Sequence, residues 1–377
     1  MKSILIIAAP FGFGPSSKAL ILAEYLRDRY RVSISSTGNV VGFLQANAPN
    51  GVDIVHGLFR KTFATRESLT GFDAFILVNQ APALQHLAAL GFAERSIFVD
   101  SISQWRAESE PGSLPEGLLA HIVQDEFPES TLDCVRYPAS AIVTAPLLWP
   151  DEVCAATNER QGVLVHTGGM TSPTAGIDLV SVITSELIAP ILASIAGYGH
   201  KVSLLGNADV FQGLSGTLGV NMLGSVSPAS ALQAISEARL VITTPGLGAI
   251  YETMSKRTPL ILLPPMNSTQ LRHYRVMTGQ GIVGILSGPA TDALSACLAS
   301  LPWQQQTPTL LKILAANTRN ILCMADAVFD RVFTKDHNFN LEEYLANIDI
   351  LWASLSQVSP QEAVIVALDR LFNPAPC

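Results

Sequence analysis

Two glycines, a glutamate and a polar pair stand close together in the stretch LVITTPGLGAIYETMSKRTPLILLPPMNSTQ, which begins at position 240. Gly246 and Gly248 follow an apolar run and open a helical pattern. Backbone N–H groups at such a turn, backed by a helix N-terminus, attract a phosphate pair. Glu252 lies about one helical turn after Gly248. A carboxylate there can point back toward the strand ends and accept bonds from two ribose hydroxyls. A second apolar run ends at Pro264-Pro265-Met266, which puts Asn267 and Gln270 at the same carboxyl edge, within reach of a sugar's hydroxyls. Each part alone also has a structural reading, and Glu252 has that of a solvated helix residue.

Two further turns carry the same kind of chemistry. Phe11-Gly12-Phe13-Gly14-Pro15-Ser16-Ser17 follows the first apolar run and opens the first helical pattern. Gly12 and Gly14 allow close approach of a ligand, and Ser16 or Ser17 can cap the helix. A tight βα turn with a cap accounts for the same residues. The motif is not a dinucleotide fingerprint, because the third glycine is missing and Ser35 and Ser36 stand where an acidic residue belongs. His166-Thr167-Gly168-Gly169-Met170 ends the first strand of the second half. Thr167 and Gly168 can expose polar groups to an anion, and Thr171 and Ser172 extend that edge. His166 by itself reads as structural.

These turns need strands and helices to hold them. The first segment reads as strands at Ser3–Ala9, Arg31–Ser35, Val52–His56, Ala74–Val78, Ser96–Val99, Ile122–Gln124 and Ala141–Thr144, with helices between most of them. Ala145 to Pro150 breaks the pattern, and Asp151 to Gln161 reads as a linker. A second series follows: strands at Gly162–His166, Lys201–Leu205, Val220–Leu223, Leu240–Thr243 and Leu260–Leu263. Ile177–Tyr198 reads as a long helix interrupted near Pro190, and Ala229–Glu237 and Ala249–Ser255 as shorter ones. Alternation of this kind implies parallel βαβ units and a doubly wound sheet. The domains are therefore 1–150, 160–306 and a helical segment, 307–377, packing on one or both. Its helical patterns are Leu310–Phe333, Leu341–Ser356 and Pro360–Phe372, with Asn340 and Ser359 as caps for the last two.

The totals agree with this organisation. A chain of 377 residues, 48% hydrophobic and 14% charged, supports about two domains with large cores. A net charge of −8 disfavours a partner nucleic acid. No run approaches about 20 consecutive apolar residues, so no membrane insertion is expected. Five scattered cysteines without a CxxC spacing fit a reducing cytoplasm, and no metal cluster is visible.

The segment SPASALQAISEARLVITTPGLGAIYETMSKRTPLILLPPMNSTQ resembles the donor-site region of GT-B glycosyltransferases, namely the UDP-glycosyltransferases and the lipid-II-forming N-acetylglucosaminyltransferase. ILIIAAPFGFGPSSKALILAEYL and HTGGM resemble that group's first loop and the loop opening its C-terminal domain. The resemblance implies two Rossmann-like domains facing a cleft, with a C-terminal helical annex. It implies inverting, metal-independent transfer from a nucleoside diphosphate sugar to a small soluble acceptor, with no other cofactor; a homodimer is compatible with it.

By the same resemblance Gly246, Leu247 and Gly248 meet the diphosphate, Glu252 the ribose, and Asn267 and Gln270 the sugar. Thr167 and Gly168 lie near the phosphates, and Met222 to Val226 near the nucleobase. The chain departs from the family where relatives carry a histidine base in the first loop, because Gly14-Pro15-Ser16 stands there; Thr244-Pro245 likewise replaces a polar residue. The candidate bases are then Asp100, His121, and Asp125 or Glu126. A fainter similarity, in FGFGP and VDSISQW, is to cytosylglucuronate synthases. There the acceptor is a cytosine nitrogen, which needs no strong base, and Arg272, Arg275 or Lys18 would hold the glucuronate. A nucleotide-sugar 2-epimerase, with His166 and His273 near the sugar, and a non-catalytic two-lobe binding protein are the alternatives.

Overall fold

The computed structural model describes residues 1–10, 12–38, 40–56, 64–103, 114–127, 137–150, 160–170, 174–211, 219–333 and 342–373. The chain divides into two compact units. Unit 1 comprises Met1–Glu126, Val135–Trp149 and Leu355–Cys377; unit 2 comprises Phe127–Cys134 and Pro150–Ser354. The expected residues Thr171, Ser172 and Asn340 lie outside the described ones.

Unit 1 is built on β1 (Ser3–Ala8), β2 (Arg31–Ser36), β3 (Asp53–His56), β4 (Ala74–Val78), β5 (Ser96–Asp100), β6 (Ala120–Gln124) and β7 (Ala141–Thr144). They form one parallel sheet in the order β3-β2-β1-β4-β5-β6-β7. A sheet covered on both faces needs apolar residues at odd and even positions alike. β1 supplies them: Ile4, Ile6 and Ala8 enter one core with the helix Gly14–Leu26, while Leu5 and Ile7 enter the other.

The last helix, Pro360–Phe372, belongs to unit 1 and brings Ala363, Val364, Ala367 and Leu368 into the first of these cores. Ser359 caps it by accepting from the Glu362 N–H. The chain just before it runs along the edge strand β7. The Ala145 N–H donates to the Val358 carbonyl at 2.7 Å, and the Ser356 N–H donates to Asp125 Oδ2 at 2.7 Å. The tail that the sequence presents as one segment thus divides at Ser354. Its earlier helices, Trp303–Ala316, Thr318–Val332 and Glu342–Ser354, belong to unit 2.

Unit 2 carries β8 (Val163–Gly168), β9 (Val202–Gly206), β10 (Asn221–Gly224), β11 (Leu240–Thr243), β12 (Leu260–Leu262) and β13 (Val283–Gly284). They are parallel, in the order β10-β9-β8-β11-β12-β13. Between β8 and β9 the helical path runs through Ile177–Ile183, a wider π segment Thr184–Ile188, and Ala189–Gly197. Pro190 lacks an N–H and its ring repels the carbonyl four residues back; the widened turn takes up that mismatch. By length and composition alone Asp178–Gly197 could cross a membrane, and 44% of that stretch is buried inside the fold.

In both sheets the strand order reverses after the first strand of the series. The switch point lies between β1 and β4 in unit 1 and between β8 and β11 in unit 2. Ligands of open α/β sheets bind at the carboxyl ends of strands beside such a point.

Candidate functional site

At the unit 2 switch point β11 runs out into Thr244-Pro245-Gly246, and the helix Leu247–Ser255 begins. Side chains and backbone of β11 bolt this turn to β8. Thr243 Oγ1 donates to the His166 carbonyl at 2.7 Å, the Thr244 N–H donates to the same carbonyl at 3.0 Å, and Thr244 Oγ1 donates to the Thr167 carbonyl at 3.0 Å. Gly246 has φ −82° and ψ 130°, values open to any residue. A Cβ on Gly248 would meet nothing within 4 Å, and one on Gly246 would meet only the Gln270 amide nitrogen, at 3.9 Å. Neither backbone nor packing therefore demands glycine at these two positions. The Gly246 N–H donates to the Thr244 carbonyl at 2.7 Å, so what the glycines leave unshielded are the N–H groups that follow it at the helix start, where the first donors have no partner inside the helix.

The opposite wall of this turn is the helix Ser268–Gly279. Asn267 Oδ1 accepts the Gln270 N–H at 2.9 Å, and Gln270 Oε1 accepts the Met266 N–H at 2.8 Å. This reciprocal cap fixes the helix start. It commits the Asn267 oxygen to the fold and turns the Gln270 NH2 toward Gly246. One turn further, His273 Nδ1 lies 3.1 Å from the Pro245 carbonyl. Tyr274 Oη donates to the Leu286 carbonyl at 3.0 Å and accepts the Leu286 N–H at 2.6 Å, and burial raises its pKa. Arg275 is held by Asp292 at 3.3 Å and by Ser295 at 3.1 Å. Residues on a helix turn by about 100° each, so Gln270 and His273 share a face and Arg272 is rotated off it.

Of the remaining unit 2 candidates, Thr167 and Gly168 end β8 at the same edge of the sheet. Glu252 is buried, 9% exposed, which excludes its reading as a solvated helix residue. Leu247 is buried too, so its N–H, not its side chain, is what it can offer. Thr167 is wholly buried; its hydroxyl donates to the Leu205 carbonyl at 3.4 Å and packs where a Cβ on Gly206 would stand. Gly168 follows in a left-handed conformation, φ +62°, at a register shift between β8 and β9. At the end of β10, Ser225 Oγ donates to the Gly206 carbonyl and accepts the Ala208 N–H, each at 3.3 Å. Burial holds the half-buried His166 imidazole down to about 4, so it is neutral at pH 7. A separate cavity of about 530 Å³ lies at the amino ends of β8, β9 and β10, lined by Lys201, Asn221 and Glu237 among others.

In unit 1 the Gly12 turn sits at the other switch point. Gly12 has φ +61°, Gly14 is exposed at the first helical position, and Ser16 is wholly buried. Asp100 and His121, separate candidates in the sequence, come together. Asp100 Oδ2 is 3.5 Å from His121 Nε2, both groups are buried, and the imidazole stacks on Phe98 of the neighbouring strand. Asp100 Oδ1 also accepts the Ile102 N–H at 3.3 Å, a local turn bond. Asp125 is structural: its carboxylate accepts from Tyr137 Oη at 2.8 Å, the Glu126 N–H at 3.1 Å and the Ser356 N–H at 2.7 Å. Glu126 is buried beside it, and Lys18 is buried in the first helix. The sequence reading missed the His273–Pro245 bond; its only trace there is a histidine three residues after Gln270. Among the described residues no group of His, Cys, Asp or Glu is arranged to hold a metal.

No protein-family model matches the chain, and no curated protein matches it by sequence. Solved structures do match. The glycosyltransferase SnogD from Streptomyces nogalater is 15% identical, with 98% of this chain and 99% of that one covered at a TM-score of 0.50. The fold is GT-B. Os79 from O. sativa in complex with UDP is 11% identical, with 93% and 99% covered and a TM-score of 0.49. UGT2 from Phytolacca americana, complexed with UDP-2fluoro-glucose and pterostilbene, is 12% identical, with 94% and 100% covered and a TM-score of 0.45. At this identity the GT-B likeness is one of fold, and the chemistry has to be argued from the residues themselves.

Proposed function

We propose that this GT-B protein is an inverting glycosyltransferase that moves a sugar from a nucleoside diphosphate, UDP in the simplest case, to a small soluble acceptor. One observation carries the reading. At the unit 2 switch point an unshielded pair of glycines meets the NH2 of Gln270, and the helix that the glycines open buries Glu252. In this reading the Leu247 and Gly248 N–H groups bind the diphosphate, which approaches closely over Gly246, Glu252 accepts the ribose hydroxyls, and Gln270 donates to the sugar. Thr167 contributes no hydroxyl, because its own is engaged by Leu205.

The acceptor attacks the anomeric carbon from the side opposite the diphosphate. The bond to the leaving oxygen breaks with its electron pair, and negative charge gathers on the diphosphate as the transition state forms. Fixed N–H dipoles aimed at that oxygen are therefore worth most at that moment, and they can carry the charge without a bound metal. The Asp100–His121 pair and Glu126, in unit 1, are the candidates to take the acceptor's proton, and a heterocyclic nitrogen as acceptor would lessen the need for them.

Isothermal calorimetry with UDP tests the donor half. UDP should bind, and Glu252→Ala should weaken it by about tenfold or more, the range for losing charge-assisted bonds to two hydroxyls. If UDP, GDP and dTDP all fail to bind or to raise the melting temperature, the reading is wrong. Product analysis with a panel of sugar nucleotides then separates transfer from epimerisation.

A further inference from the structure

The turn between β11 and its helix has two glycines, and one bond within it, from the Gly246 N–H to the Thr244 carbonyl at 2.7 Å, closes its first step. Pro245 fixes its own φ but has no N–H to anchor, and Gly246 and Gly248 bring wide conformational freedom. Its β11 side is fastened to β8 through Thr243 and Thr244. On its far side His273 Nδ1 lies 3.1 Å from the Pro245 carbonyl. The Pro245 carbonyl and the Gly246 N–H belong to one planar peptide, held at the N–H by the Thr244 carbonyl and at the oxygen by His273, so the two together set the plane that leads into the Leu247 and Gly248 N–H groups. His273 is 5% exposed, on a helix anchored by the Asn267–Gln270 cap and by Tyr274 on Leu286.

We infer that His273 is a positioning residue for donor binding: its Nδ1–H clamps the Pro245 carbonyl and so aims the Leu247 and Gly248 N–H groups at the diphosphate. A carbonyl only accepts, so the nitrogen facing it carries the proton. The inference rests on the proposed function for the ligand, while the clamp itself is a property of the free protein.

The geometry dictates unequal behaviour of two conservative replacements. The amide nitrogen of Asn overlays imidazole Nδ1, whereas that of Gln overlays Nε2. With UDP in calorimetry, His273→Asn should bind within about threefold of wild type, and His273→Gln and His273→Leu should be weakened by about tenfold or more. A merely structural histidine would instead move affinity and melting temperature together in Asn and Gln alike. Equal affinity in all variants, or retention by Gln with loss in Asn, overturns the inference. Wild type that binds no nucleoside diphosphate overturns the donor reading itself, which is a different result. Should the variants not fold, long-range ¹H–¹⁵N NMR of the wild-type free protein decides the clamp: His273 should carry its proton on Nδ1, and a neutral Nε2–H tautomer overturns it.

Discussion

The Gly12–Ser16 turn of unit 1 and the Pro245–Gly248 turn of unit 2 occupy equivalent places, each beside the switch point of a parallel sheet and each opening a helix. Gly14, like Gly248, stands in open space in a first helical turn, so the contrast between the turns lies in Gly12 against Gly246. Gly12 holds φ +61°, a conformation that side chains resist, so the chain path alone asks for glycine. Gly246 and Gly248 hold ordinary helical-entry geometry in open space. The unit 2 turn is also braced on both flanks, by β8 and by the helix bearing Gln270 and His273. A glycine required by the backbone says little about a ligand. A glycine that the fold does not require, on a turn that the fold holds still, points to something that must come close.

The sharpest way to break this contrast is Gly248→Asp. A carboxylate in the first turn of a helix favours the macrodipole, and the new side chain has room, so the melting temperature should hold or rise. The same charge would face an incoming diphosphate, and UDP affinity should fall by about 100-fold. Calorimetry and a thermal melt on one sample read both effects. Unchanged UDP affinity would remove Gly248 from the donor site.

Most of the frame behind this contrast can be read in the sequence, because buried parallel strands are continuous apolar runs and the turns between them carry glycine. β7 and β11 are read to the residue, and the last helix, Pro360–Phe372, as well. The helix Ser268–Gly279 is not, since its sequence is polar and its buried residues include His273. β13 is only two residues long. Leu310 to Phe333 reads as one amphipathic run but breaks at Asn317, where one helix ends and the next begins. In the candidate site, Glu252 and Gln270 are the residues that spacing proposes. The Asp100–His121 pairing is not, because two strands of a sheet meet through register, which no local spacing encodes. Nor is the division of the tail between two units.

The next test concerns what lies beneath the unit 2 turn. Its carbonyl partner, His166, has an imidazole held down to about 4 by burial, against 6.5 in a free chain. The unfolded chain therefore binds the proton more readily than the folded one. The stability contribution is complete above pH 6.5 and is lost as pH falls toward 4, by about 2 kcal/mol after allowing for the partial exposure of the ring. Urea melts between pH 7 and 4 should show this slope in wild type and a shallower one in His166→Gln. Parallel profiles would mean that the imidazole titrates as freely in the fold as outside it.

The smallest effect belongs to unit 1 and completes the contrast. Gly12→Ala places a Cβ in empty space, since nothing lies within 4 Å, so the cost is that of the left-handed backbone alone, about 1 kcal/mol. Gly12→Asn should cost less, because its short polar side chain tolerates that conformation. Neither should change UDP affinity, which the proposed reading assigns to unit 2. The two turns then give opposite signatures: stability lost without binding at Gly12, binding lost without stability at Gly248. If Gly12→Ala weakened UDP as Gly248→Asp does, the first turn would be a donor contact too, and its positive φ would have a second purpose besides turning the chain.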